Sequence, residues 1–590
     1  MQSRGSKYFK RRFRTVRRSL ARASKRSVGH GRNYLLGRTS HLRDVQRRIV
    51  IWTIVVFVLI GSTALQILAT RMSLTKMAPT IGGTYVEGVI GPIETLNPIF
   101  VTTSGETAAS SLLFTGLFNY DRTGTIRPQL ATSIETTDSK MYTVHLRSGV
   151  TWSDGKPFTS ADVMFTIGLI QNASVQSPLA SSFRNITVTA PNPLTVQMAL
   201  PAAYAPFVNS LTFGMLPQHV FAATDAANLR GSSFNLNPVT LGPFTFSSYR
   251  AHDANGNTVV YMNKNAFYFG NKAEVDHFQL HAYKDQAALL RAYEQREVGA
   301  IAGASESTAT TAQNMRSRTR VTDVPLDNGD YAFFNTKNDM YSDSGLRAAI
   351  RQGTDVAAVR RLVGGGVGEL NGPVLASAVP DVGSLKQVTG DTAGANRALD
   401  ALGWVAGPNG IRSKDGRLLT LKLVAIDSGD YPRVASELAS QWRGLGIDVQ
   451  TKLQSSDTAS EQVLVPRAFD VLIYELAIGA DPDVYAYWHS TQASQEGLNF
   501  SGYNSGVADD NLSSSRAILN PQLRNAKYAA FAKQWLADTP AIALFQQNYH
   551  YVSGDDTITM PANSRLVTPI DRYATVTDWT VDTRRIFTTP

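Results

Sequence analysis

The sequence predicts an α/β fold that is divided between at least two lobes and preceded by one transmembrane helix. The chain has 590 residues, 43% hydrophobic and 18% charged, which is ample for a large buried core. Strand-like and helix-like patterns are interspersed from Thr84 onward, and one uncharged stretch near the N-terminus is long enough to cross a bilayer. The remaining body, residues 78–590, exceeds the usual size of a single hydrophobic core, which predicts more than one lobe.

Residues 1–48 form a strongly basic tail. They contain 16 Lys and Arg and a single acidic residue, Asp44, whereas residues 78–590 contain 39 basic and 46 acidic residues. We expect such a tail to fix the membrane topology and to contact anionic lipid. Nucleic-acid binding is the alternative, but the tail is short, lacks a recognisable fold and adjoins the predicted membrane span. We therefore predict no nucleic-acid partner.

Residues 49–69 form the predicted transmembrane helix. This stretch has 21 residues without a formal charge, and at about 1.5 Å per residue it spans a hydrocarbon layer of roughly 30 Å. A cleaved signal peptide is the alternative, but its apolar region is usually about 7–15 residues long and lies closer to the N-terminus. We predict an uncleaved signal anchor followed by a linker over residues 70–82. The positive-inside rule then places the tail in the cytoplasm and the body outside the cell membrane.

Within the body, local patterns predict individual strands and helices. Strands are expected at residues 143–146, 194–198, 258–261 and 419–424, where β-branched or alternating apolar residues occur. A helix should begin near Asp355, and another should end just before Pro540, because their apolar residues recur at helical spacing.

The search for catalytic or metal-binding motifs gives a negative result. The chain contains no cysteine, which excludes disulfides and zinc–cysteine sites. It also lacks the H-E-x-x-H, G-x-S-x-G and phosphate-loop strings. His277 and His281 have a spacing that suits a metal on a helix, but their segment alternates like a strand, which favours an ordinary histidine pair. We predict no enzymatic activity, no cofactor and no metal site.

Residues 146–163, which read LRSGVTWSDGKPFTSADV, combine a strand end, two turns and a helix start. Thr159 is a good N-cap, and Asp162 is placed to complete a capping box. The string resembles the signature of the extracytoplasmic solute-binding proteins of family 5, which serve peptide and nickel ABC importers. Similar short motifs occur in the family's order. Leu96-Asn97-Pro98 lies upstream of the string, and Gly242-Pro243-Phe244, Phe333-Phe334-Asn335 and Asp481-Pro482-Asp483 lie downstream of it.

This resemblance implies a two-lobed periplasmic-binding-protein-like fold of type II, in its large family 5 variant. The implied boundaries are residues 83–280 for lobe I, residues 281–545 for lobe II, and residues 546–590 for a return to lobe I. Many family members are lipoproteins held by an N-terminal cysteine. This chain has no cysteine, so we expect the transmembrane helix to replace the lipid.

The resemblance also implies ligand-binding residues in both lobes. In lobe I they lie in the loop after the Leu-Asn-Pro motif and in an aromatic pair near the hinge: Thr102, Thr103, Ser104, Tyr268 and Phe269. An ordinary polar loop and core packing are the respective alternatives. In lobe II the candidates are Glu475, Leu476 and Ile478. Ile478 stands where several peptide binders have an aspartate that grips the ligand's α-ammonium, so a free-amine peptide is in question unless Glu475 substitutes.

The function implied by the resemblance is that of a membrane-anchored substrate-binding subunit of an ABC importer. It would capture oligopeptides by hinge closure and deliver them to a permease driven by separate ATPase subunits, with the body remaining monomeric. The alternatives are the same fold binding a nickel complex, an opine or an oligosaccharide, a ligand sensor, and an exported enzyme or chaperone.

Overall fold

We analysed a computed structural model of the chain, which describes residues 42–73, 75–222, 224–251, 257–316, 318–364, 366–554, 557–558 and 563–587. The chain divides into two compact units. The first comprises residues 1–78 and 584–590, and the second comprises residues 79–583. The basic tail predicted over residues 1–48 lies outside the described residues except for its last seven.

The first unit contains the predicted membrane span. Helix α1, Leu42–Ser73, includes residues 49–69 and exposes the large apolar side chains of that range. Its segment Gln46–Thr70 has a mean hydropathy of 2.2 and is the one helix among the described residues that is long and apolar enough to cross a bilayer. The predicted linker over residues 70–82 contains the end of α1 and a strand, Thr75–Thr80.

The second unit contains the other helices of the described chain. Its α-helices are α2 Ser104–Leu113, α3 Ser160–Gln171, α4 Ala180–Phe183, α5 Gln286–Glu294, α6 Glu306–Met315, α7 Ser344–Gly353, α8 Val356–Val363, α9 Thr392–Ala401, α10 Tyr431–Gly444, α11 Ser456–Ala459, α12 Tyr485–Trp488, α13 Gly506–Ala517 and α14 Pro521–Asp538. A π-helical turn, Ser460–Leu464, follows α11. Short 3₁₀ helices are Ala205–Leu211, Gln218–Val220, Ala226–Gly231, Ser233–Asn235, Pro380–Ser384, Ser490–Gln492 and Pro569–Asp578.

The strands are β1 Thr75–Thr80, β2 Thr84–Ile90, β3 Phe118–Tyr120, β4 Ile126–Pro128, β5 Ala131–Glu135, β6 Met141–Leu146, β7 Thr187–Asn192, β8 Thr195–Ala199, β9 Phe244–Arg250, β10 Thr258–Lys264, β11 His277–Tyr283, β12 Ala300–Ala304, β13 Arg320–Pro325, β14 Asn328–Phe334, β15 Val405–Ala406, β16 Arg412–Lys414, β17 Arg417–Leu418, β18 Thr420–Ile426, β19 Asp448–Gln454, β20 Val471–Ala477, β21 Ala541–Phe545, β22 Asn548–Ser553, β23 Thr557–Ile558 and β24 Thr580–Phe587. Small sheets have the orders β15-β16-β17 and β3-β4.

A seven-stranded sheet with the order β13-β22-β12-β2-β11-β10-β9 is the centre of the first lobe. Strands β11 and β12 both lie parallel to β2, whereas β10 and β22 run antiparallel to their neighbours. A four-stranded antiparallel sheet, β5-β6-β8-β7, belongs to the same lobe and contributes to the same hydrophobic core. The first lobe is therefore a mixed α/β structure with two sheets.

A five-stranded sheet with the order β19-β18-β20-β14-β21 is the centre of the second lobe. Strands β18, β19 and β20 are parallel, and β14 and β21 run against them. Successive residues of β14 enter two different cores, since Ala332 and Phe334 pack into one cluster and Tyr331 and Phe333 into the other. The sheet is thus covered on both faces, as expected for parallel strands joined through helices.

The chain crosses between these two sheets at residues 326–327 and at residues 546–547. The first crossing joins β13 to β14, and the second joins β21 to β22. The sequence suggested lobe boundaries near residues 280 and 546. Strand β12 lies beside β2, and β13 pairs with β22 over six residues, so both strands belong to the first sheet.

Local predictions for the body agree with the structure. The predicted strands correspond to β6, β8, β10 and β18, and the predicted helices to α8 and α14. Thr159 caps α3, and both hydrogen bonds of the predicted capping box with Asp162 are present. Asp355 caps α8, and Val356, Val359 and Val363 are buried. These elements depend on contacts a few residues apart, which a sequence displays directly.

Candidate functional site

A cavity of about 580 Å³ lies at the carboxyl ends of β18 and β20 in the second lobe. We call it the Glu475 cavity. Its lining residues are Ile426, Tyr431, Ser456, Ala459, Ser460, Leu464, Tyr474, Glu475, Leu476, Ala477, Tyr487, Leu498 and Phe500. Ligands of open α/β sheets bind beyond the carboxyl ends of their parallel strands, and ligand pockets measure about 300–1,000 Å³. The Glu475 cavity meets both expectations.

The local sequence explains how two sides of the cavity form. Strand β18 ends at Ile426, and after a short turn containing Gly429 in a left-handed conformation, helix α10 begins at Tyr431. Pro432 in its first turn suits a helix start, because a missing N–H is tolerated there. On another side, α11 and the π-helical turn follow β19 and supply Ser456 to Leu464.

Glu475 is the acidic side chain of the cavity lining. Its Oε1 accepts a hydrogen bond of 2.7 Å from Asn328 Nδ2, and its Oε2 accepts one of 3.1 Å from Gln547 Nε2. Asn328 begins β14 directly after the first crossing, and Gln547 lies in the second crossing. A carboxylate in the cavity is therefore hydrogen-bonded to both connections between the lobes. Burial raises the pKa of Glu475, and these two amides oppose that rise.

Asp330 is the cross-strand neighbour of Glu475, because β14 and β20 pair antiparallel in that register. The side chain is fully buried, and Oδ1 accepts a hydrogen bond of 2.8 Å from the hydroxyl of Tyr431. Burial, reinforced by the charge of Glu475, raises the pKa of Asp330 to about 8. Like charges directly opposite one another in a sheet destabilise it. No cationic side chain lowers the pKa of either carboxyl.

Aromatic side chains form much of the cavity wall. The rings of Tyr474 and Phe500 lie 5.2 Å apart in an edge-to-face arrangement, and the Tyr487 hydroxyl donates to the Ala477 carbonyl at 2.9 Å. The guanidinium of Arg467 lies 4.8 Å from the centre of the Phe500 ring. That guanidinium is already engaged, since it donates to the carbonyls of Leu464, Ser494 and Gly497. The cavity lining thus combines several aromatic rings with one carboxylate.

A second acidic group follows β20 within a few residues. Asp481 forms an ion pair with Arg524 at 2.9 Å, and Asp483 forms one with Arg516 at 3.1 Å. We call these four residues the paired cluster. The Arg516 guanidinium also lies 4.6 Å from the ring centre of Tyr204, a residue of the first lobe.

The paired cluster therefore marks a place where the two lobes touch. Close to it, Ser139 Oγ of the first lobe donates a hydrogen bond of 3.2 Å to the carbonyl of Ala517, the last residue of α13. Asp483 also interacts with the hydroxyl of Tyr204. In the first lobe, these contacts involve the region that contains strands β5 to β8 and the following 3₁₀ helix, Ala205–Leu211.

The family model for bacterial extracellular solute-binding proteins, family 5, matches residues 125–497. That match covers more than half of the chain and includes strands of both large sheets. The chain belongs to this family.

Similar proteins support the same assignment for this family 5 protein. The oligopeptide-binding protein AppA of Bacillus subtilis is 24% identical over 485 residues, which cover 80% of this chain and 88% of AppA. The structure of AppA in complex with a nonapeptide superimposes with a TM-score of 0.69 at 22% identity, covering 85% of this chain and all of AppA.

Two further solved structures share the fold. The ABC transporter substrate-binding protein CtaP of Listeria monocytogenes has a TM-score of 0.74 at 21% identity, covering 85% of this chain and all of CtaP. NikZ of Campylobacter jejuni, solved in complex with Ni(L-His), has a TM-score of 0.69 at 22% identity, covering 84% and 99% of the two chains. The predicted family and the predicted fold, mixed α/β with two lobes, are thereby confirmed.

The candidates in lobe II of this family 5 protein fall into two environments. Glu475 and Leu476 both line the Glu475 cavity. Ile478 is buried in a hydrophobic core, and its N–H donates to the carbonyl of Asp327 at 2.9 Å. An aspartate at residue 478 would occupy an apolar environment, which explains why an isoleucine fits there.

The loop candidates in lobe I form the cap of α2. Thr103 is the N-cap residue and completes a capping box with Glu106, while its hydroxyl donates to the Pro92 carbonyl at 2.7 Å. The N–H of Thr102 donates to Glu106 Oε2 at 2.9 Å. Ser104 is the first residue of the helix. The loop follows the carboxyl end of β2 in the first sheet. The Glu475 cavity likewise lies at the carboxyl ends of strands, in the second sheet.

The aromatic candidates Tyr268 and Phe269 lie together in the first lobe, with ring centres 4.8 Å apart. Phe269 packs against the core of that lobe, and the Arg147 guanidinium lies 5.2 Å from its ring centre. Tyr268 is hydrogen-bonded to Thr115, and burial raises its pKa. The structure gives these rings packing partners in the first lobe.

Sequence reasoning missed Asp330, Tyr431, Tyr487 and Gln547 as residues in or beside the cavity. Asp330 carried a usable signal, because it is a charged residue in β14, a strand in which every residue is buried. A strand that is buried along its whole length is expected to be almost continuously apolar, so an acid within it is informative. The other three residues gave no comparable signal, since tyrosine and glutamine are common on protein surfaces.

Proposed function

We propose that this protein is the membrane-anchored, extracytoplasmic substrate-binding subunit of an ABC importer and that it captures oligopeptides between its lobes. Family 5 members are transport binding proteins, and AppA and CtaP are similar to this chain over most of their length. The observation that carries the proposal is the position of Glu475. Its carboxylate faces a cavity of ligand size and is hydrogen-bonded to residues at both crossings between the lobes.

Hinge closure follows from this connectivity. Two short segments, residues 326–327 and 546–547, join the large sheets, so small backbone rotations there would move one lobe relative to the other. A ligand that contacts both lobes only when they are closed shifts the population towards the closed form. Closure would then present a surface that a permease can recognise, with ATP hydrolysed by separate subunits.

A peptide is the ligand favoured by the comparisons and by the cavity. The structure of AppA contains a nonapeptide, and an apolar, tyrosine-rich cavity suits peptide side chains. A nickel complex is the second candidate, because NikZ shares the fold and was solved with Ni(L-His). Among the described residues, no group of three or more histidine or acidic side chains could hold a metal ion. A nickel ligand would therefore have to bring most of its own coordination.

Native mass spectrometry of the full-length protein in detergent tests the ligand class. The protein is purified gently from cells grown in rich medium, and the molecules released on denaturation are sequenced. We expect a heterogeneous set of short peptides. A single non-peptide mass, such as a metal complex, would contradict the peptide assignment.

The anchor and its orientation can be tested separately. Since the chain has no cysteine, a single Ser27→Cys or Ser377→Cys variant carries one reactive thiol. We expect a membrane-impermeant maleimide applied to intact cells, with the outer envelope permeabilised where one exists, to label the Ser377→Cys variant and to leave the Ser27→Cys variant unlabelled. Helix α1 and the basic tail before it motivate this orientation. The reverse labelling pattern would contradict it.

A further inference from the structure

We propose that the Glu475 cavity is a subsite for a positively charged group of the ligand, either an ammonium or a guanidinium. The proposal rests on the proposed function, because it specifies which part of a peptide this cavity receives. Two independent features of the cavity support it: the half-buried carboxylate of Glu475, which has no cationic partner and lies opposite the fully buried Asp330, and a wall of aromatic rings.

Asp330, the buried neighbour of Glu475, is unusual when compared with the other buried acids in the described residues. Glu87 pairs with Arg572, and Asp327 pairs with Arg565. The remaining buried acids, except Asp330, accept backbone N–H groups at turns and helix starts: Glu106, Asp162 and Asp571. Asp330 has only the Tyr431 hydroxyl on one oxygen, and its other oxygen makes no hydrogen bond of ordinary geometry, with only the Gln547 amide nearby.

Glu475 has neutral partners as well. Both of its hydrogen bonds come from side-chain amides, which satisfy the oxygens without neutralising a charge. Withdrawing a carboxylate from water without a counter-charge is unfavourable. A bound cation would supply that counter-charge to Glu475, which lies directly opposite Asp330 in the sheet.

The aromatic wall suits the same kind of group. Tyr431, Tyr474, Tyr487 and Phe500 line the cavity together with Glu475. The face of an aromatic ring attracts a cation through the ring quadrupole, and cages of several such rings recognise ammonium groups. Phe500 already holds a guanidinium, that of Arg467, which shows that one of these rings accepts a cationic neighbour. A carboxylate within a set of rings is thus complementary to a ligand ammonium or guanidinium.

A capture experiment with peptide libraries tests the subsite. The probes are two nonapeptide libraries that are identical except that Lys and Arg in one are replaced by norleucine and citrulline in the other. Each library is prepared with a free and with an acetylated N-terminus. Full-length protein in detergent is freed of its bound ligands by partial unfolding and refolding, incubated with each library, and the bound peptides are quantified by native mass spectrometry.

We expect the wild-type protein to capture peptides that carry a cation at least tenfold more than peptides that carry none. Loss of the preference on replacing Lys and Arg would identify a basic side chain as the group bound, and loss on acetylation would identify the N-terminal ammonium. The variant Glu475→Gln should lose the preference, because its amide keeps the size of the side chain without the charge. The control variant Glu461→Gln removes an exposed acid from the neighbouring π-helical turn and should keep the preference.

Two other outcomes separate the two proposals. Capture of charged and uncharged peptides alike by the wild-type protein, or an undiminished preference in Glu475→Gln, would overturn the cationic subsite and leave peptide binding intact. Capture of no peptide by refolded wild-type protein that melts as the untreated protein does would overturn the proposed function, and the subsite with it. Thermal unfolding of Glu475→Gln identifies a variant that fails to fold. In that case Tyr487→Leu, which keeps the carboxylate and removes one ring, should lower the preference by several-fold.

Discussion

The paired cluster and the Glu475 cavity are two neighbouring regions of the second lobe that contain acids largely withdrawn from solvent. Glu475 lies on β20, Asp330 lies opposite it on β14, and Asp481 and Asp483 follow β20 within a few residues. In the paired cluster, Asp481 and Asp483 each have an arginine within 3.1 Å. In the cavity, Asp330 and Glu475 have no cationic partner among the described residues, and their hydrogen bonds come from neutral groups. The chain thus neutralises the acids of the paired cluster with arginines, and it leaves without a cationic partner the acid that lines a cavity of ligand size, Glu475, and its cross-strand neighbour Asp330.

The largest effect expected is at the paired cluster. The variant Arg524→Met keeps a long side chain but leaves Asp481 buried without its partner, which should lower the free energy of unfolding by about 3 kcal/mol at pH 8. Burial raises the pKa of Asp481 to about 6 even beside Arg524, so the loss should be smaller at pH 5, where the carboxyl becomes protonated. Denaturant unfolding of the full-length protein in detergent measures both values.

The double variant Asp481→Asn with Arg524→Met is the control for this prediction. It removes both charges, so it should be more stable at pH 8 than Arg524→Met alone. Equal stabilities of the single and the double variant would show that Asp481 does not need a counter-charge. The paired cluster would then not differ from Asp330 and Glu475 in its need for a cationic partner.

The next largest effect is expected at Asp330, where a stabilising substitution is predicted. The pKa of Asp330 is about 8 in the folded protein and is near the usual value in the unfolded chain, so the folded state binds the proton more tightly. Stability contributed by the protonated form is therefore present below about pH 4 and is lost as the pH rises to about 8. The variant Asp330→Asn remains neutral and should exceed the wild type by a few kcal/mol at pH 8, while matching it near pH 4.

Thermal unfolding of both proteins between pH 4 and pH 8 measures this difference. The titratable groups around this site include Glu475, Asp430, Tyr331, Tyr431, Tyr474 and Tyr487, and they are unchanged in the variant. A melting-temperature difference that does not grow with pH would mean that Asp330 is compensated after all, like the acids of the paired cluster.

The smallest effect is expected at the contact between the lobes near the paired cluster. The variant Ser139→Ala removes the hydrogen bond to the Ala517 carbonyl, which should disfavour the closed form by about 1 kcal/mol. Small-angle scattering of the ligand-free protein should then show a slightly larger radius of gyration. Ser111→Ala is the matched control, because Ser111 Oγ donates to the Ala108 carbonyl within helix α2 and this hydrogen bond does not connect the lobes. Equal effects of the two variants would contradict a role of Ser139 in closure.

Local features of this molecule were predictable because they depend on neighbours in sequence. The capping box of α3 requires residues three apart, and the buried face of α8 requires apolar residues at helical spacing. The sequence suggested a lobe boundary near residue 280, but the local patterns of β12 and β13 do not indicate which sheet these strands join. Only their pairing with β2 and β22 assigns them to the first sheet.

The sequence by itself determined the uncharged span, the basic tail, the absence of any cysteine-based site and the family, since each is a property of composition or of short ordered motifs. Tertiary structure alone decided which acids are compensated. Asp330 and Glu475 are 145 residues apart, and the antiparallel register of β14 and β20 makes them neighbours, while the packing of α14 brings Arg524 to Asp481. Because charge compensation depends on distances between distant segments, no local pattern reveals it.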